Sequence, residues 1–179
     1  MELDLKGKQV LITGGTRGIG LSAAKAFASE GCIVHVTGRK SSDLEHVKKE
    51  IGPNYQVHTH ICDLKESGAT KKLAEDCQEI DILINNAGAT PTGPIELVGM
   101  DDWREGLELK VIATVDLTKR FYENKGACWV INQNKISKQK MTEILLSILK
   151  DKSMVHSDST IPEATMPPEK LSLESLVQR

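Results

Sequence analysis

The chain reads as an α/β protein built on a doubly wound parallel sheet, with five strands in the spatial order 3-2-1-4-5. Three observations predict this. Short apolar runs alternate with helical patterns from Val10 to Ile131, and such alternation gives βαβ crossovers and a parallel sheet. A glycine-rich turn, Thr13-Gly14-Gly15-Thr16-Arg17-Gly18-Ile19-Gly20, joins the first run to the first helical pattern. Beyond Asn132 the alternation stops, and no sixth or seventh strand pattern follows.

Each element has its own signal. Val10 to Thr13 is apolar and gives the first strand, and Leu21 to Glu30 gives the first helix. Ile33 to Thr37 is the second strand, and Ser42 to Ile51 is a helix with Ser42 as its N-cap. Val57 to Cys62 is the third strand, Glu66 to Glu79 the third helix, and Asp81 to Asn85 the fourth strand. Asp101 to Tyr122 forms a long helix whose apolar positions are Trp103, Leu107, Val111, Thr114 and Leu117. Cys128 to Asn132 is the fifth strand. Lys135 to Lys150 is an amphipathic helix, Asp151 to Pro168 is loop or disorder, and Glu169 to Val177 forms a short terminal helix. This divides the chain into a dinucleotide-binding domain over residues 1–132 and a divergent helix with a flexible tail over 133–179.

The glycine turn carries the chemistry. A strand that feeds a glycine turn opening a helix is a phosphate cradle, because the helix N-terminus offers free N–H groups and the positive end of its dipole. Gly14 permits the tight turn, Gly18 admits backbone close to a pyrophosphate, and Gly20 lets the helix pack closely on the strand. In a sheet of this order the ligand sits at the switch between strands 1 and 4.

The spacing T-G-x-x-x-G-x-G resembles the short-chain dehydrogenase/reductase family, whose core is Rossmann-like. Three further matches follow in order: Thr37-Gly38-Arg39, Asp63-Leu64 and Asn85-Asn86-Ala87-Gly88. The resemblance is close over about residues 5–125 and then fades. It implies cofactor contacts from Gly14, Thr16, Arg17, Gly18, Ile19, Gly20, Arg39, Asp63, Leu64, Asn86, Ala87 and Gly88, with Asp63 and Leu64 at the adenine. It also implies hydride transfer between a nicotinamide and a small-molecule carbonyl or alcohol. Pairing of two copies through the long helix 101–122 is a further implication.

The preferred cofactor follows from charge. NAD enzymes of this architecture place an acidic side chain after the second strand to hold the ribose hydroxyls. Here Gly38 stands at that point, Arg39 follows, and Arg17 projects from the glycine turn. Two guanidinium groups suit a 2′-phosphate, so NADP (NADPH) is favoured over NAD.

The proton chemistry is not matched. The family uses a serine after the fifth strand and a Y-x-x-x-K helix, where the lysine's charge lowers the pKa of the tyrosine. This chain has two tyrosines, Tyr55 and Tyr122, and the residue four after Tyr122 is Gly126. Val130-Ile131-Asn132 continues into Gln133-Asn134-Lys135-Ile136-Ser137, which sets Ser137 slightly late for the serine. Lys110 stands where the family has an asparagine in the long helix. Ser137 and Lys110 are therefore the candidates for a catalytic role. Two readings stay open: an NADP-dependent oxidoreductase with impaired activity, or a catalytically inactive dinucleotide-binding or interaction remnant. A splicing, frameshift or deletion event would account for either.

Composition narrows the classes. In 179 residues, 23 Lys and Arg stand against 25 Asp and Glu, a net charge of −2. That balance argues against nucleic acid or an anionic membrane as partner. No apolar run approaches the roughly 18 residues of a membrane span, and the N-terminus has no signal-peptide core, so a cytoplasmic location is expected. Cys32, Cys62, Cys77 and Cys128 show no C-x-x-C spacing and read as reduced thiols. His58 and His60 alternate along one strand and can share a face, but no third ligand is expected nearby. No metal is expected.

Overall fold

The computed structural model describes residues 5–89, 93–94, 96–125 and 129–132. Its elements are β1 (Gln9–Ile12), α1 (Gly18–Ser29), β2 (Ile33–Gly38), α2 (Ser41–Ile51), β3 (Val57–Ile61), α3 (Ala69–Asp76), β4 (Ile82–Asn85), α4 (Met100–Leu107), a π-helical turn (Glu108–Ile112), α5 (Ala113–Lys125) and β5 (Trp129–Asn132). The strands form one sheet in the order β3-β2-β1-β4-β5, and every neighbouring pair is parallel. This is the order expected from the sequence.

Two apolar layers fill the two faces, as a parallel sheet requires. Successive residues on β1 point to opposite sides. Val10 and Ile12 join Phe27 of α1, Leu44 and Val47 of α2, and Val34 and Val36 of β2 in one cluster. Leu11 joins Leu73 of α3, Leu83 of β4, and Leu117 and Phe121 of α5 in the other. Val10, Leu11 and Ile12 are wholly buried. The start of the sheet is fixed by Asp81, whose carboxylate accepts the Gln9 N–H at 2.9 Å and faces Lys8.

Several boundaries differ from expectation for local reasons. Ser42 lies inside α2 rather than capping it; Lys40 occupies the extended cap position. Asp43 in the first turn and Lys48 and Lys49 in the last still suit the helix dipole. The third helix is shorter than the pattern Glu66 to Glu79. Glu66 N–H donates to the Asp63 carbonyl in a turn, and Gly68, at φ +78°, delays helix entry until Ala69. The helix stops at Asp76, with Cys77 in its C-cap position.

The long helix departs most from its pattern. The π-helical turn inserts an extra residue into the hydrogen-bond ladder and rotates the face beyond it. Gly106, Ala113, Leu117 and Phe121 are buried, whereas Trp103, Leu107 and Val111 are exposed. Of the five apolar positions read from the sequence, Leu117 is fully buried and Thr114 partly so. Ser137, the amphipathic segment 135–150 and the tail lie outside the described residues, as does Cys128. Among the described residues no helix is long and apolar enough to cross a membrane.

Candidate cofactor site

The glycine turn is locked to the β4 turn by one buried hydroxyl and one amide. Thr13, at the end of β1, is 1% exposed. Its Oγ1 accepts N–H bonds from Asn86 and Ala87, each at 3.0 Å, and donates toward the Ile84 carbonyl at 3.3 Å. The Asn86 side-chain amide reaches back, donating to the carbonyls of Thr13 at 2.8 Å and Gly14 at 2.9 Å. These five bonds hold the carboxyl ends of two adjacent strands together at the switch point. A third strand joins them, because Gly14 N–H donates to Thr37 Oγ1 at 3.0 Å.

The glycines serve this close approach. Gly14 has φ +61°, and a Cβ there would stand 3.0 Å from the Ala87 backbone. A Cβ on Gly20 would lie 2.5 Å from Asn86 Nδ2 and 2.8 Å from the Gly14 carbonyl oxygen. Only a residue without a side chain fits there, so helix α1 starts directly against the turn. Arg17 occupies the N-cap in extended backbone with no side-chain cap, and no acidic residue stands in the first turn. Uncapped N–H groups at the positive end of a helix fit an anion.

The remaining expected contacts fall around this cradle. Arg17 and Arg39 are exposed and follow the carboxyl ends of the adjacent strands β1 and β2. Thr16 packs so closely over Gly38 that a Cβ on that glycine would stand 2.5 Å from Thr16 Cγ2. A side chain at position 38 would have to displace Thr16. Asp63 follows β3, and its carboxylate accepts the Lys65 N–H at 3.1 Å, while Leu64 is buried in the core. Ile19 is half-buried against the apolar layer beneath α1. Gly88 is exposed at the end of the Asn86-Ala87 turn.

The chemistry end is built differently. The π-helical turn aims Lys110 at the β4 turn, where a Cβ on Gly88 would lie 2.8 Å from Lys110 Cε. Lys110 therefore borders the crevice, but it is exposed, and it lacks the burial on which a proton-donor role would depend. The two tyrosines lie elsewhere. Tyr55 precedes β3, at the amino end of a parallel sheet and thus opposite the glycine turn. Tyr122 lies near the end of α5, which runs back from the carboxyl edge of the sheet; both rings are about half exposed.

The sequence reading missed Thr13 and Thr37 as cradle residues. Both are strand-ending threonines next to glycines, a signal visible in the sequence but without a role until the strands are paired. His58 and His60 do share one face of the sheet, as expected. His58 is exposed and stacks on His35, with ring centroids 4.8 Å apart. His60 instead meets His35 and Cys77 within 4.8 Å. The expectation that no third ligand lies nearby is thus overturned, because β2 and the end of α3 supply two.

A glycine turn, an uncapped helix and a strand switch are the features of the doubly wound dinucleotide-binding class. Residues 8–132 match the family model described as short chain dehydrogenase, and the chain belongs to this family of oxidoreductases, which bind NAD(P). It is 36% identical over 124 residues to the uncharacterized oxidoreductase YvrD of Bacillus subtilis, covering 68% of this chain and 47% of that protein. It is likewise 36% identical over 125 residues to the 3-oxoacyl-[acyl-carrier-protein] reductase FabG of Aquifex aeolicus, covering 66% of this chain and 50% of that one. The chain thus spans about half the length of these curated relatives. Among solved structures it resembles a metagenomic short-chain oxidoreductase in complex with NADP (TM-score 0.64, 25% identity, 81% of this chain and 74% of that one). It also resembles a short chain dehydrogenase from Bacillus anthracis (TM-score 0.65, 33% identity, 72% of this chain and 55% of that one).

Proposed function

We propose that this chain binds NADPH in preference to NADH and is impaired in carbonyl–alcohol oxidoreduction. The observation that carries the reading is the contrast at the crevice. Thr13, Asn86 and the uncapped start of α1 stand together at the end of β1, which supports a phosphate cradle there. No tyrosine of the described residues borders Gly88 and Lys110. When bound, the nicotinamide supplies the hydride; the protein must supply a proton and polarise the carbonyl oxygen. Gly14, Thr16, Gly18, Ile19, Gly20, Asn86, Ala87 and Gly88 would hold the pyrophosphate and the adjoining ribose. Asp63 and Leu64 would border the adenine, and Arg17 and Arg39 would take the 2′-phosphate. The NADP complex of the similar metagenomic oxidoreductase supports this choice of cofactor. Lys110 would polarise a substrate oxygen weakly, as an exposed charge.

The test is a fluorescence titration with NADPH and NADH, followed by an assay of NADPH consumption on a panel of ketones and quinones. NADPH binding at least tenfold tighter than NADH, with little turnover, is the expected result. Full turnover would sink the impaired reading, and failure to bind either nucleotide would sink the cofactor assignment.

A second reading concerns assembly, and the exposed apolar side chains of the long helix favour it. Trp103, Leu107, Val111 and Val115 are exposed at helical spacing. They would pair with the same face of a second copy, as the resemblance implies for helix 101–122. Light scattering of the Leu107→Glu variant should show a shift to monomer; an unchanged mass would remove this interface. In the same reading, residues 1–132 are the cofactor domain and 133–179 a separate appendage.

A further inference from the structure

We propose that His35, His60 and Cys77 form a zinc site that staples the outer edge of the sheet. The proposal does not depend on cofactor binding or turnover.

The register of the strands brings the ligands together. β2 and β3 pair in parallel with His35 opposite His58 and Thr37 opposite His60, which puts His35, His58 and His60 on one face of the sheet. Helix α3 covers that face and ends at Asp76, so Cys77 enters the apolar layer directly over the two rings. His35 is 8% exposed and Cys77 is 2% exposed, while His60 is half-buried.

The distances match a coordination polyhedron. His35 Nδ1 lies 3.0 Å from His60 Nε2, and Cys77 Sγ lies 3.8 Å from the first and 3.5 Å from the second. Tetrahedral zinc, with Zn–N near 2.0–2.1 Å and Zn–S near 2.3 Å, requires N···N edges of about 3.3 Å and N···S edges of about 3.6 Å. A triangle with the observed edges has a centre about 2 Å from each vertex, so an ion seated slightly out of its plane reaches all three. Two imidazoles and one thiolate are a donor set that zinc accepts, and a water completes the fourth position.

A supporting partner is already in place. Gln9 Oε1 lies 3.1 Å from His35 Nε2. A carboxamide oxygen can only accept, so Nε2 carries the proton and the Nδ1 lone pair points at His60 Nε2, the two rings lying nearly coplanar; both rings turn toward Cys77 to take up the ion. A histidine ligand held by its other ring nitrogen is the usual outer-shell arrangement of a metal site. Asp76 adds negative charge beside His60 and Cys77. Without an ion, burial pushes the Cys77 thiol up to about 12 and the His35 imidazole down to about 4. The metal-free cluster is therefore neutral, and His60 Nε2–H donates to His35 Nδ1. On zinc binding the Cys77 thiol proton leaves to solvent, the His60 proton moves from Nε2 to Nδ1, and the Zn–S and two Zn–N bonds form. The consequence is mechanical. β3 is an edge strand, and an ion held by β2, β3 and the end of α3 would tie that edge to its neighbours.

Cobalt(II) is the probe, added to the chelator-treated full chain. The expected result is a near-ultraviolet thiolate-to-cobalt charge-transfer band that saturates at one equivalent and is displaced by zinc. Cys77→Ser should abolish the band and Cys62→Ser should keep it. Gln9→Leu should weaken zinc binding, read by competition with a chromogenic chelator, by about 10- to 100-fold. Zinc should raise the Tm of the wild type and leave that of Cys77→Ser unchanged. If Cys77→Ser fails to fold, the wild-type titration and the Cys62→Ser variant still decide. No charge-transfer band in the wild type, a band that survives Cys77→Ser, or one lost in Cys62→Ser would each overturn the proposal.

Discussion

The two ends of the dinucleotide crevice are constructed on opposite principles. At the β1–β4 end, Thr13, Asn86 and the backbone of Gly14 and Ala87 interlock through buried hydrogen bonds and a contact that admits no side chain on Gly20. At the Gly88 end, one exposed lysine arrives from a π-helical turn, and both described tyrosines stand elsewhere. The first end is fixed before a ligand comes, which lowers the ordering cost of binding. Among the described residues, Lys110 is the one charged side chain placed against Gly88 at the second end, and preorganised donors are where most rate enhancement arises. The proposed function therefore separates binding from turnover, and substitutions at the two ends test each part.

Substitutions at the locked end should do the most damage. Gly20→Val forces a branched side chain against Asn86 and the Gly14 carbonyl, and should cost at least about 3 kcal/mol in urea unfolding. It should also abolish NADPH binding; a stable, nucleotide-binding variant would show that the close contact is dispensable. Thr13→Val keeps the shape but leaves the Asn86 and Ala87 N–H groups without their acceptor. That should cost about 2–3 kcal/mol, and a loss below about 0.5 kcal/mol would mean that the two turns hold without the hydroxyl.

Exposed charges should act on affinity with little effect on the fold. Arg39→Glu should lower NADPH affinity roughly 10- to 100-fold by replacing a charge-assisted bond with repulsion. Its Tm should stay at the wild-type value, and unchanged NADPH affinity would remove Arg39 from the 2′-phosphate site. The smallest effect is expected at Asp116, whose carboxylate accepts bonds from Arg120 at 2.8 Å and from the Thr70 hydroxyl. The Arg120 bond foremost, then Thr70, holds it below its ordinary value of 3.8. A depressed carboxylate stabilises the fold above that value and loses the contribution as pH falls through the folded value. Because the side chain is one-third exposed, Asp116→Asn should cost under about 1 kcal/mol at pH 7. The gap to wild type should close in acid, and a gap independent of pH would assign the effect to packing instead.

Much of this was readable from the chain. Strand order and the glycine turn follow from short-range signals: apolar runs of strand length, helical spacing between them, and glycines at fixed offsets. The buried face of the long helix was not readable, because the π-helical turn shifts the periodicity and puts Trp103 and Leu107 outside. The partners of His60 were hidden for a different reason. His35 is 25 residues away and Cys77 is 17 residues away, so strand register and the end of α3 decide the contact.

By itself, the sequence determined the βαβ alternation, the glycine turn between β1 and α1 and the absence of a matching Y-x-x-x-K from this chain, since each rests on residues close together in the chain. The tertiary structure alone decided three things: that Thr13 and Asn86 clamp two strands, that Lys110 leans on Gly88, and that two histidines and a cysteine converge under α3. Those contacts join elements distant in sequence, and their distances are set by sheet register and helix packing rather than by local pattern.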